Sequence, residues 1–263
     1  MKKETLYVIM DEKKILIRSS AGVDISAAVH YPKKQSDRLA ILVPGYLDSK
    51  DYVHLVMLAE DLSHIGYTAV RFDPAGTWES EGDISEYTIA RELDDVGDII
   101  SFMLREKTYS SIALAGHSRG GAVSILYAAR DPRISAVCAI MAPPALRRVA
   151  SDEKIARWKK DGFRASLKNV PDSMNEKVFR VPYAVVEESI KYDLPAEVGK
   201  LHIPLLLVAG DNDEQVLPRD VKKIYELAHE PKKFISLKGV GHVYRRFPEQ
   251  IKMVNEVVLA FLE

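Results

Sequence analysis

The sequence predicts an α/β fold, a mostly parallel central sheet with helices on both faces, interrupted by a small helical cap insertion. Two observations carry this. Short runs at 39–43, 69–72, 112–115, 136–141, 205–209 and 234–237 are apolar nearly throughout, as strands covered on both sides require. The segments between them change period: Ile89, Leu93, Val96, Ile100, Met103 and Leu104 recur at the three-and-four spacing of an amphipathic helix.

Before the first parallel unit, runs at 5–10, 14–18 and 25–31 are separated by turn material at Asp11-Glu12 and Ala21-Gly22, which predicts an antiparallel meander at one edge. The run at 39–43 leads into Pro44-Gly45-Tyr46, and His54 and His64 fall on a predicted helix. The run at 112–115 leads through Gly116 into a helix at 122–130, and 136–141 carries Cys138 in an apolar setting. The interval 143–203 is too long for one crossover helix. Pro171, Pro182 and Pro195 punctuate short helix-like pieces there, so the expectation is an inserted helical cap at 143–203 on a core of 1–142 and 204–263. Beyond the strand at 205–209, Leu217, Val221, Ile224 and Ala228 form a helical stripe. Pro248 then opens a last helix with Ile251, Val254, Val258 and Phe261 on one face.

Composition narrows the function. In 263 residues, 37 Lys and Arg stand against 38 Asp and Glu, which argues against a nucleic acid partner held by phosphate neutralisation. A 47% hydrophobic and 29% charged chain is neither disordered nor membrane-spanning in character. Cys138, the single cysteine, makes no internal disulfide, and no His/Cys spacing suggests a metal site. The apolar start is interrupted at Asp11, too short for a signal-peptide core, so a cytoplasmic protein without a membrane partner is expected.

The strongest motif is Gly116-His117-Ser118-Arg119-Gly120-Gly121, set between a strand and a helix. Glycines allow the sharp turn, which holds Ser118 at the strand end with the positive end of a helix beside it. No lysine follows these glycines as a phosphate loop requires. A serine hydroxyl needs a base, and His242 in Gly239-Val240-Gly241-His242 lies in a loop after the final predicted strand. His117 is expected to point away from its neighbour at the tight turn, in a structural role. His30, His54, His64, His202 and His229 are expected to be solvated or structural. The imidazole needs a carboxylate, and both Asp211 and Asp213 occupy the turn after 204–209; spacing alone does not choose between them.

Gly116-His-Ser118-Arg-Gly120, Gly210-Asp-Asn-Asp213-Glu-Gln-Val and Gly239-Val-Gly-His242, in the order Ser, Asp, His, resemble the α/β-hydrolase superfamily over nearly the whole chain. The resemblance implies Asp213 as the acid, with Asp211 the fallback. Leu42-Val-Pro44-Gly45-Tyr46 is similar to the family's His-Gly-x loop with Pro44 in place of histidine, which implies an oxyanion hole from the Tyr46 and Arg119 backbone N–H groups. The segment 72–82 is similar to another family stretch, with Trp78 where glycine is common; it is expected to be scaffold and not catalytic, with an aromatic group available to border the pocket.

The resemblance implies a serine hydrolase of small carboxylic esters, similar to bacterial cinnamoyl and feruloyl carboxylesterases and to acyl-aminoacyl peptidases, with no metal or organic cofactor. Two alternatives stand beside it: an amidase or aminopeptidase with Glu187-Glu188 holding a substrate ammonium, and a non-catalytic hydrolase-fold ligand-binding protein. Between Arg147 and Lys168 basic residues outnumber acidic ones, and a solvated helix face is favoured over a substrate-attracting rim. Phe163, Phe179, Tyr183 and Tyr192 fit an acyl pocket or the insertion's own core equally well.

Overall fold

The computed structural model describes residues 12–146, 151–169 and 176–263. In chain order the elements are β1 (Glu12–Arg18), β2 (Asp24–His30), β3 (Arg38–Val43), α1 (Val53–His64), β4 (Tyr67–Phe72), α2 (Ile89–Glu106), β5 (Ser111–His117), α3 (Arg119–Ala128) and β6 (Ala136–Ile140). There follow α4 (Asp152–Asp161), β7 (Phe163–Asn169), β8 (Glu176–Pro182), α5 (Ala184–Ser189), α6 (Leu194–Val198), β9 (Leu205–Gly210), α7 (Pro218–Leu227), β10 (Lys232–Leu237) and α8 (Pro248–Leu262).

An 8-stranded sheet runs in the order β1-β2-β4-β3-β5-β6-β9-β10. The ladders from β4 through β10 are parallel, and β2 pairs antiparallel with both β1 and β4. The expected mixed sheet with its meander at one edge is therefore present. Glu12, expected in a turn, begins β1; the run at 5–10 lies outside the described residues.

Side chains alternate across the pleat and split the core in two. On β3, Leu39, Ile41 and Val43 belong to one buried cluster that also holds Val96 and Ile100 of α2, Val123 of α3 and Ile224 of α7. Ala40 and Leu42 belong to a second cluster on the other face, with Leu55 and Leu58 of α1 and Val254 and Val258 of α8. Each such aliphatic side chain taken fully out of water contributes about 1.5–3 kcal/mol. The chain runs from β3 outward to β4 and returns to β5 on the other side of β3. This reversal places the carboxyl ends of β3 and β5 together, where open α/β sheets bind ligands.

The insertion differs from the expected helical cap. Besides helices α4, α5 and α6 it contains an antiparallel pair of strands, β7 and β8, between α4 and α5, where Phe179 and Val181 are buried while Val178 and Arg180 are exposed, an alternation of period two. Pro182 ends the hairpin and Pro195 sits in the first turn of α6, whereas Pro171 and residues 147–150 lie outside the described residues. Trp158, Phe179, Val181, Val185 and Val186 form a small core with Leu47 and Tyr87 of the main body, and the Trp158 indole N–H donates to Val181 O at 2.8 Å. Among the described residues no helix is long and apolar enough to cross a membrane.

Candidate active site

β5 ends at His117 and α3 begins at Arg119, leaving Ser118 in the turn at φ 54° and ψ −119°. A positive φ is strained for a residue with a Cβ and persists only where its surroundings fix it. Here the Ser118 N–H donates to Ile140 O at 2.8 Å. The turn also needs glycine on either side: a Cβ on Gly120 would lie 2.1 Å from Val43 O, and one on Gly116 would lie 2.3 Å from Gly120 C. The turn leaves the Ser118 hydroxyl at the carboxyl end of β5.

His242, in the loop after β10, has Nε2 3.0 Å from Ser118 Oγ and Nδ1 2.8 Å from Asp213 Oδ2. Asp213 lies just beyond β9, and its other oxygen accepts the N–H groups of Gln215 and Val216, each at 2.8 Å. These bonds fix the carboxylate and hold the imidazole with an acceptor facing the serine. Asp211 is used differently: its Oδ1 accepts the Gly239 N–H at 2.6 Å, which ties the two loops. The choice that spacing left open thus falls on Asp213 as the partner of His242.

Ser118 and His242 open into a cavity of about 150 Å³ that is also lined by Tyr46, Asp48, His117, Arg119, Leu146, Lys168, Gln215, Val216 and Arg245. Among the described residues neither the Tyr46 nor the Arg119 backbone N–H donates a hydrogen bond. The Arg119 side chain turns into the core, where Nε meets Glu92 at 2.5 Å beneath the Tyr87 ring. Burial raises the Glu92 carboxyl to about 7, although Arg119 opposes the shift.

His117 does not point away from the site. Its ring centroid is 4.8 Å from that of His242, and it packs edge-on against His54 and Tyr244. Neither ring nitrogen of His117 or His54 has a hydrogen-bond partner among the described residues. Burial lowers His117 to about 4 and His54 to about 3, so both rings are neutral near pH 7. Their donor atoms and a carboxylate oxygen of Asp48 lie within 4.8 Å of one another. Arg245 at 3.6 Å and Lys168 at 4.0 Å already flank Asp48, so a divalent cation there would face two like charges.

The remaining candidates have structural places. His30 accepts from Arg71 at 3.0 Å, His202 stacks on His229 at 4.5 Å, and His64 is exposed at the end of α1. Burial raises the Cys138 thiol, which removes thiolate character. Trp78, expected to border the pocket, instead donates to Leu47 O and packs edge-on against Phe179 at 5.4 Å. Phe163, Phe179, Tyr183 and Tyr192 do not line the cavity; Phe179 and Tyr183 belong to the insertion's core. Glu188 caps α2, accepting from the Ile89 and Ala90 N–H groups at 2.9 and 3.1 Å, and neither it nor the exposed Glu187 lines the cavity. Sequence reasoning gives no role to Asp48, Gln215 or Arg245: Gln215 lies within the Asp213 motif and the other two stand three residues or fewer from a motif residue, but nothing local marks them as facing the cavity.

The chain is 25% identical over 185 residues to the palmitoyl-protein thioesterase ABHD10 of Mus musculus, covering 67% of this chain and 59% of that protein. It is 29% identical over 121 residues to lysophospholipase L2 of Escherichia coli (strain K12), covering 44% of this chain and 35% of that one. The chain thus spans less than two thirds of the length of these relatives. In architecture it is similar to Est1E of Butyrivibrio proteoclasticus with ferulic acid bound, at a TM-score of 0.73 and 23% identity, covering 94% of this chain and 99% of the other. The family model described as serine aminopeptidase, S33, matches residues 34–185, more than half of the sequence. With the sheet order, the strained serine turn and this match together, the chain belongs to that Hydrolase_4 family within the α/β-hydrolase superfamily.

Proposed function

We propose that this chain hydrolyses small carboxylic esters through an acyl-enzyme, with Ser118 as nucleophile, His242 as general base and acid, and Asp213 as its orienting carboxylate. The observation that carries the reading is the unbroken run from Asp213 through His242 to Ser118 at 2.8 and 3.0 Å, opening on a cavity. His242 Nε2 takes the Ser118 proton as Oγ attacks the ester carbonyl, and the charge that develops on the carbonyl oxygen is met by the Tyr46 and Arg119 N–H groups. The imidazolium, facing Asp213, returns its proton to the departing alkoxide. Water then attacks the acyl-serine, His242 takes its proton, and the acid leaves with Ser118 restored.

The cavity is small, about 150 Å³, which favours a short acyl or alcohol group at the reacting ester. The thioesterase and lysophospholipase relatives carry out acyl transfers within reach of the same steps. An aminopeptidase reading finds less support, because the glutamates that would hold an ammonium lie elsewhere and the cavity carries Lys168 and Arg245.

Pre-steady-state kinetics with 4-nitrophenyl butyrate test the proposal. A burst of nitrophenol equal to the enzyme concentration, absent in Ser118→Ala, is expected. Undiminished turnover by that variant would refute it, and binding of the ester without a burst would favour the non-catalytic reading.

A further inference from the structure

The cavity lining is electrostatically lopsided. Besides Ser118 and His242 it carries Lys168 from β7 and Arg245 from the short 3-10 helix Tyr244–Arg246 after His242, against one carboxylate, Asp48. The Arg119 guanidinium is turned away from the cavity into the core, where its Nε meets Glu92 at 2.5 Å. Asp48 Oδ1 lies 3.6 Å from Arg245 Nη1 and 4.0 Å from Lys168 Nζ, too far for a hydrogen bond to either. Lys168 spends one donor on Tyr46 O at 3.1 Å, and the Arg245 guanidinium donates no hydrogen bond among the described residues. The two side chains are only 20% and 17% exposed, so water satisfies them poorly.

From this arrangement we infer that the preferred substrate carries a carboxylate, held by Arg245 and Lys168 while its ester lies against Ser118. One carboxylate keeps two cations side by side and leaves one positive charge uncompensated. A planar anion fits the guanidinium fork and completes the donor set of both groups. Burial and the neighbouring Arg245, Arg164 and Arg246 push the Lys168 ammonium down, a cost that a bound anion would relieve. Lys168 also holds the carbonyl of Tyr46, whose own N–H faces the developing oxyanion in the proposed mechanism. Anion binding and the reacting carbonyl therefore share one support. The inference rests on the hydrolase reading and extends it to a substrate class.

The experiment compares kcat/KM within two pairs matched in shape and differing in charge. They are 3-acetoxybenzoate with 3-acetoxybenzamide, and monomethyl glutarate with methyl glutaramate. The first pair places the charge on the alcohol side and the second on the acyl side. In one pair the native enzyme should prefer the anion by at least about tenfold, the lower end for one charge-assisted hydrogen bond. That ratio should shrink as salt is raised, and should move toward one in Arg245→Gln and in Lys168→Gln. Because each ratio is internal to one protein, a partly destabilised variant still reports it, and the native ratio and its salt response need no variant. Turnover of all four esters at ratios of one or below, or a ratio unchanged in both variants, would overturn the anion preference alone. Failure to turn over any ester, with Ser118 inert to a fluorophosphonate, would overturn the hydrolase reading and this inference with it.

Discussion

Two acid and imidazole groupings lie side by side in this molecule, and they differ in what surrounds them. In one, Asp213 and His242 meet at 2.8 Å, two backbone N–H groups hold the acid, and a serine hydroxyl completes the chain at 3.0 Å. In the other, Asp48 and His117 stand 3.9 Å apart, His54 packs edge-on against His117, and the imidazole nitrogens find no partner among the described residues. Residue type does not separate them. A held carboxylate and a reachable hydroxyl give the first the geometry that the proposed proton transfer needs, whereas burial keeps the second pair of rings neutral. In the proposed mechanism a neutral His117 also suits the neighbouring His242, because a second imidazolium 4.8 Å away would oppose the charge that forms during attack.

Changes on the two sides should therefore part company. Ser118→Ala or His242→Ala should lower kcat/KM for a short ester by about 10⁴–10⁶-fold without loss of melting temperature. Asp213→Asn should cost about 10⁴-fold through the imidazole tautomer, whereas Asp48→Asn should cost less than about tenfold with a neutral ester. Its effect should fall on stability, at about 3–5 kcal/mol by thermal unfolding, since Arg245 and Lys168 lose their shared carboxylate. A large kcat loss in Asp48→Asn with an unchanged melting temperature would erase the distinction.

The pH response sharpens it further. His54 and His117 have folded-state pKa values of about 3 and about 4, below the 6.5 of the unfolded chain. The unfolded chain therefore binds protons first. The stability these rings allow is full above pH 6.5 and falls as pH drops from there toward 4 and 3. The drop in melting temperature between pH 7.5 and pH 5 should be smaller in His54→Phe and His117→Phe than in the native protein. An equal drop would mean that these rings are not buried neutral. The smallest effect belongs to a contact remote from both groupings: Glu188→Ala should cost about 1 kcal/mol at the α2 N-terminus, about 2–4 °C in melting temperature, with kcat unchanged.

The parallel sheet and the Ser118 turn were legible in the sequence because both are written locally: apolar runs covered on two faces, and glycines where a Cβ meets backbone at 2.1–2.3 Å. His242 was legible from its loop, and the aspartate only with the family pattern, because Asp211 and Asp213 differ in direction and not in spacing. What stayed hidden depends on contacts far apart in the chain. Phe179 and Val181 alternate over too short a run to announce a hairpin, and Trp78 turns from the cavity because Phe179 waits on the other side. Lys168 looked like one more basic residue of a solvated face until β7 carried it into the cavity beside Arg245. The packing of His117 against His242 and Tyr244 stayed hidden as well, because a tight turn says where the backbone goes, not what a bulky ring meets beyond it.

The account stands most directly on whether Ser118 is an activated nucleophile. Intact-mass measurement after treatment with a fluorophosphonate should show a single adduct, mapped to the peptide bearing Ser118, absent in Ser118→Ala and strongly slowed in His242→Ala. A folded native protein that takes up no label, or one labelled equally fast without His242, would contradict it.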